Sequence, residues 1–299
     1  MWMMPPVNYI EPLFRPPSEA HSLILQVTNG CSWNKCVYCE MYTAPQKKFK
    51  PKAETEILDE IQRCGEELPH TRRVFLADGD AMALSFRRLK SILESIKEHL
   101  PMVTRVTAYC LPRNLKKKTV DELAELQSLG LSMVYVGVET GDDELLKLID
   151  KGETYQSTYD ALIKLQGAGI KRSVMVINGL GGQALSARHA TQTARLINAT
   201  QPEYLASLVL FFSKGDQRYK EAFSGRFEEM SDVQLFREMQ QFIQALELKK
   251  TIFRSDHASN LLVLKGVLGT DKSNLLAQLE NAISGASSVF LRQSCDRSL

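Results

Sequence analysis

Strand-like and helix-like segments take turns along most of this chain, and that alternation restricts the fold more than any other feature. Short apolar, β-rich runs lie at 23–28, 73–77, 103–109, 131–138, 171–177 and 204–212. Between them, at 54–68, 85–100, 119–129, 142–149, 155–168 and 183–199, apolar residues recur at helical spacing. Ile57, Leu58 and Ile61 share one face of the first helix, and Thr119 and Gly130 stand where a cap and a stop belong. Parallel strands need a covering crossover, so repeated βαβ units imply a parallel sheet. The strands read as nearly continuous apolar runs, as they must when both faces are covered. Six units are too few to close an eight-stranded barrel. The expected fold class is therefore α/β: a partial (β/α)6 TIM-like barrel, with a doubly wound sheet as the competing arrangement. After Lys214 the alternation stops, and helical patterns at 226–248 and 271–283 predict a C-terminal helical extension. The expected division is an N-terminal segment 1–19, a core barrel 20–215, and an extension 216–299 that covers the barrel and ends in a loose polar tail from 284.

Three of the six cysteines crowd into nine residues, Cys31-Ser-Trp-Asn-Lys-Cys36-Val-Tyr-Cys39, directly after the first strand. Thiolates hold iron–sulfur clusters, and close spacing lets one loop wrap the metal. Three ligands on a four-iron cluster leave one iron open, which separates a catalytic centre from a purely electron-carrying one. The plain alternative is a zinc knuckle, which needs a fourth ligand. His21 lies upstream and His70 well downstream, so neither completes it nearby. Cys64, Cys110 and Cys295 are scattered; Cys64 lies within a helix and reads as packing, and a small buried hydrophobe is the plain reading of Cys110.

The net charge is only +2, so no global field drives binding to nucleic acid or membrane. No apolar run is long enough to span a bilayer, and the first seventeen residues lack the pattern of a secretion signal. The expected compartment is the cytoplasm. No basic stretch is interleaved with aromatics, so no nucleic-acid site is expected; Lys116, Lys117 and Lys118 read as a solvated helix start.

The stretch from Gly30 to Cys39 resembles the cluster loop of the radical SAM superfamily, in a branch with four residues between the first two cysteines and Tyr38 in the aromatic place. The resemblance covers about residues 20–215. It implies a [4Fe–4S] cluster on Cys31, Cys36 and Cys39, with S-adenosylmethionine (SAM) chelated to the open iron. It also implies one electron from a reduced flavodoxin or ferredoxin-like donor, cleavage of SAM to methionine and a 5′-deoxyadenosyl radical, and hydrogen abstraction from a substrate that the sequence does not identify. No second cysteine triad points to an auxiliary cluster, and no N-terminal cobalamin domain is seen.

Further cofactor contacts follow from the same resemblance. Asp78-Gly79-Asp80 stands where the family has Gly-Gly-Glu against the SAM amino group, with an ordinary βα turn as the alternative. Glu139 ends the fourth strand where relatives approach the SAM ribose or carboxylate. Lys151 stands where some relatives pair the SAM carboxylate, and otherwise reads as a solvated helix-end charge. Asn178 and Gly179 follow the fifth strand and admit part of SAM. Substrate-side candidates are Cys110, Arg113, and the polar cluster Asp256, His257 and Asn260, whose plain alternative is a capped turn. Two other readings remain open: an iron–sulfur electron-transfer or redox-sensing protein, and a zinc-stabilised α/β binding module.

Overall fold

The computed structural model describes residues 5–286 and 291–292. Cys295 and most of the polar tail lie outside these residues. The chain divides into two compact units.

The first unit comprises Met1–Asn34, Met41–Val136 and Ala161–Arg172. It holds β1 (Leu23–Gln26), β2 (Thr28–Asn29), β3 (Lys50–Pro51), α1 (Glu54–Glu67), β4 (Arg73–Ala77), α2 (Phe86–His99), β5 (Arg105–Cys110), α3 (Val120–Ser128) and most of β6 (Leu131–Glu139). β1, β4, β5 and β6 are paired in that order, all parallel. The helices form where the sequence reading puts them. Ser85 caps α2 by accepting from the Arg88 backbone N–H, and Leu89, Ile92, Leu93 and Ile96 are its buried stripe. Four such side chains contribute about 1.5–3 kcal/mol each. Thr119 and Glu122 close a reciprocal capping box on α3. Cys64 is buried in α1 as packing, and that burial pushes its thiol up to about 11.

The second unit comprises Lys35–Glu40, Gly137–Asp160 and Ser173–Leu299. Here lie the end of β6, α4 (Asp143–Leu148), the start of α5 (Tyr155–Gly167), β7 (Lys171–Asn178), α6 (Gly182–Thr200), β8 (Tyr204–Val209), α7 (Gln217–Ala222), α8 (Asp232–Ala245), β9 (Thr251–Ser255), β10 (Leu264–Leu268) and α9 (Lys272–Ile283). β7, β8 and β9 run parallel, and β10 returns antiparallel to β9. α6 packs on α8, and α8 on α9.

The C-terminal part is thus more than helical. The expected helices are present as α8 and α9, but the strand series continues through β9 and β10. The helix expected from 226 begins at Asp232, where the capping box of Ser231 with Gln234 fixes its start. Phe227 lies before that cap and is buried against Tyr219 and Phe223. Among the described residues, no helix is long and apolar enough to cross a membrane.

Candidate functional site

In the first unit, β1 and β4 are parallel neighbours, so the segments that follow them meet. The Gly30 N–H donates to Asp78 Oδ2 at 3.2 Å, and the Ser32 N–H donates to Asp80 Oδ1 at 3.0 Å. The Ser32 hydroxyl also donates to Asp80, and Asn114 Nδ2 adds a bond at 3.3 Å. Asp80 is fully buried. Burial pushes its carboxyl above the usual range, against the pull of Ser32, Asn114 and Arg113. Two carboxylates therefore brace the backbone on either side of Cys31.

Gly79 is required by the same approach. A Cβ there would lie 2.8 Å from Gly30 O and 3.0 Å from the Cα and Cβ of Cys31. Asp78 is paired with Lys47 at 2.5 Å, both side chains wholly buried. Lys47 also donates to Ile10 O at 2.8 Å, which ties the N-terminal segment to this corner. The other oxygen of Asp78, Oδ1, is buried with no hydrogen-bond partner among the described residues. Arg113 lies over the Trp33 ring, 3.8 Å from its centroid, and so stacks on the cysteine loop itself. Cys110 is buried, and its thiol donates to Leu111 O at 3.3 Å, as a packing cysteine does.

In the second unit, the Cys36–Cys39 hairpin is closed by the Cys39 N–H on Cys36 O at 3.2 Å, and the Val37 N–H donates to Ile149 O at 3.0 Å. Val37 and Tyr38 pack on an apolar cluster that includes Leu145, Ile149 and Leu180. Lys151 Nζ donates to Glu139 Oε1 at 2.8 Å and to the Tyr38 hydroxyl at 3.2 Å. Glu139 sits at φ +65°, a region that side chains other than glycine rarely occupy and that functional positions often hold. A Cβ at Gly137 would collide with the Glu139 carboxylate, so only glycine leaves room for the ion pair. Burial pushes the Cys36 thiol up; Lys151 and a hydrogen bond with Tyr38 pull it back. Tyr38 is likewise raised, by burial first and the Glu139 charge second.

The remaining candidates have other neighbours. Asn178 Nδ2 donates to Leu235 O at 3.0 Å, and the Gly179 N–H to Glu238 Oε1 at 2.6 Å, so both are tied to α8. Gly179 has φ +84°, and a Cβ there would lie 2.7 Å from Leu235. Residues 256–260 form the turn between β9 and β10. Asn260 accepts from the Ser255 hydroxyl at 2.8 Å and donates to Ser207 O at 3.0 Å. His257 Nδ1 accepts from the Ser259 N–H at 3.2 Å, and Asp256 pairs with Lys265 at 2.9 Å. The geometry of this cluster is that of a capped turn.

The sequence reading missed Ser32, Lys47, Asn114, His189 and Glu238. Ser32 alone carried a local signal, its place beside Cys31; the others meet their partners only through the fold. His189 bridges Thr140 Oγ1 at 2.8 Å and Ile177 O at 3.0 Å, which ties the ends of β6 and β7 together.

None of the three cysteines of the loop is in a disulfide, and all three are half-buried. Among the described residues, no three His, Cys, Asp or Glu side chains are gathered to hold a single metal ion. A four-iron cluster asks for something else, one thiolate on each of three irons, and three thiols outside any disulfide on one irregular loop are that donor set. The orphaned Asp78 oxygen beside this loop fits a ligand bearing an amino group.

Heme chaperone HemW of Bacillus subtilis (strain 168) is 23% identical over 171 residues, 55% of this chain and 45% of HemW. Biotin synthase of Aeromonas salmonicida (strain A449) is 26% identical over 289 residues, 93% of this chain and 69% of the synthase. The chain thus matches less than half the length of that HemW relative. Among solved structures, coproporphyrinogen III oxidase (HemN) of Escherichia coli, described as a radical SAM enzyme, superimposes with TM-score 0.55 at 15% identity, over 75% of this chain and 51% of HemN. The methyltransferase TsrM of Kitasatospora setae, with cobalamin and a [4Fe–4S] cluster bound, gives TM-score 0.51 at 19% identity, over 63% of this chain and 36% of TsrM. These likenesses show the fold: mixed α/β with mostly parallel strands, as in the partial TIM barrels of those enzymes. The family model of the Radical SAM superfamily, whose members bind a [4Fe–4S] cluster and SAM, matches residues 25–194, more than half of the sequence, and the chain belongs to that superfamily.

Proposed function

We propose that this protein is a radical SAM enzyme whose [4Fe–4S] cluster is held by Cys31, Cys36 and Cys39. The observation that carries the reading is the trio of cysteines, none in a disulfide, on the loop after β1 and inside the span of the family match. When bound, the cluster and SAM supply one-electron cleavage of a carbon–sulfur bond, giving methionine and a 5′-deoxyadenosyl radical that takes hydrogen from a substrate.

The protein's own residues orient that chemistry. Asp78 and Asp80 fix the backbone of Gly30 and Ser32, and so aim Cys31. The second oxygen of Asp78 is left to accept from the SAM amino group. Tyr38, Glu139 and Lys151 form one network beside Cys36, and Lys151 supplies the positive charge for a carboxylate. We also assign Asn178, at the end of β7, and Gly179, just after it, both held by α8, to part of SAM.

The superfamily requires a reductant and a substrate in general. We assign the reductant to a flavodoxin or ferredoxin-like donor and the compartment to a reducing cytoplasm, where thiolates stay available to iron. Anaerobic purification tests the reading. A brown protein with iron and sulfide in equal amounts, forming 5′-deoxyadenosine from SAM and dithionite, supports it; a colourless protein whose fold depends on zinc refutes it.

A further inference from the structure

We infer that residues 213–218 clamp the cysteine hairpin 35–40, with Glu40 and Arg218 as positioning residues. The clamp rests on the proposed cluster only for its purpose; its existence is a matter of geometry within the second unit.

The hairpin has little regular structure of its own, apart from the Cys39–Cys36 backbone bond. Its two flanks are gripped from far along the chain. On one side, Glu40 directly follows Cys39. Glu40 Oε2 accepts from the Ser213 N–H at 2.9 Å and the Ser213 hydroxyl at 2.6 Å. Glu40 Oε1 accepts from the Lys214 N–H at 3.1 Å. Three donors converge on one carboxylate, so its charge strengthens every bond. On the other side, Lys35 directly precedes Cys36. Its carbonyl accepts from Arg218 Nη2 at 2.8 Å. The two grips bracket Cys36 and Cys39.

The gripping segment is itself rooted. Tyr219, next to Arg218 on α7, is buried among Phe212, Phe223 and Phe227, and its hydroxyl donates to Leu180 O. Val37 and Tyr38 pack against this same apolar cluster. The stretch of chain that follows β8 therefore holds two cluster thiols at a fixed separation before metal arrives. Preorganised ligands spare the cluster the cost of ordering them.

Site-resolved alkylation of the metal-free, reduced protein tests this without turnover. Iodoacetamide labelling of each cysteine is followed by mass spectrometry in the wild type, Glu40→Ala, Arg218→Met and Arg218→Lys. Losing charge-assisted bonds raises the open population of the hairpin, so Cys36 and Cys39 should label about tenfold faster in the first two variants. Cys31, which belongs to the first unit, should stay within about twofold. Arg218→Lys retains one donor and should return toward the wild-type rate. After reconstitution, Glu40→Ala should lose iron to a chelator faster than the wild type. Unchanged labelling at Cys36 and Cys39, or an equal rise at all three cysteines, overturns the clamp. A wild type that takes up no iron refutes the proposed cluster, and the labelling result still stands or falls by itself.

Discussion

The Lys151 ammonium is bonded to the Glu139 carboxylate at 2.8 Å, twelve residues back in the sequence, with both side chains largely buried. The charge expected to meet a SAM carboxylate is thus already paired inside the protein. Any external carboxylate must share Lys151 with Glu139 and Tyr38.

Removing one partner strands the other. Lys151→Met should cost about 3–5 kcal/mol in urea unfolding, because Glu139 is left charged and buried. Glu139→Gln combined with Lys151→Met should recover much of that loss, giving a clear coupling energy in a double-mutant cycle. Additive costs would show that the pair is not an energetic unit.

Gly79→Ala should displace the Cys31 loop, since the added methyl would press on Gly30 O and on the Cα and Cβ of Cys31. A loss of about 1–3 kcal/mol in stability is expected for this overpacking. Iron content after reconstitution should fall with it, measured by iron and sulfide assay against the wild type.

The turn 256–260 titrates in a defined sense. Burial and Arg292 hold His257 below the usual 6.5, with Asp256 pulling the other way. A folded pKa below the unfolded one means the unfolded chain binds more protons. The corresponding stability is present above 6.5 and is lost as pH falls toward the lowered folded pKa. Calorimetric scans across this range should show the wild type losing stability on acidification and His257→Asn losing less. Protonation would also break the acceptor role of Nδ1 toward the Ser259 N–H.

Asn260→Ala separates a turn residue from a substrate contact. Two buried hydrogen bonds vanish, at a cost of about 1–3 kcal/mol to stability. Formation of 5′-deoxyadenosine from SAM without substrate should persist at temperatures where the variant is folded. Loss of that activity in a fully folded variant would assign Asn260 to the cofactor site instead.

The strands from β4 to β7 were legible because burial on both faces makes them nearly continuous apolar runs, and β8 is mostly apolar although its burial alternates. β9 and β10 were not, because each carries a charge inside a short strand, Arg254 in one and Lys265 in the other, which breaks the apolar run. The start of α8 was readable in Ser231 and Gln234, yet apolar Phe227 extended the helical pattern past the cap. The cysteine loop and the acids at 78 and 80 stood out as residue types. Their partners did not: Asp80 meets Asn114 across 34 residues, and Glu40 meets Ser213 across 173. Such pairs follow from strand order, which local periodicity does not encode. The left-handed backbone at Glu139 was equally hidden, since glutamate carries no signal for it.

The decisive experiment is the iron stoichiometry and SAM cleavage of the anaerobically reconstituted protein, compared with Cys36→Ala. A cluster on the three cysteines predicts four irons per chain, 5′-deoxyadenosine formation in the wild type, and loss of both in the variant. A cluster whose fourth iron is ligated by a protein side chain, or full turnover by Cys36→Ala, would contradict it.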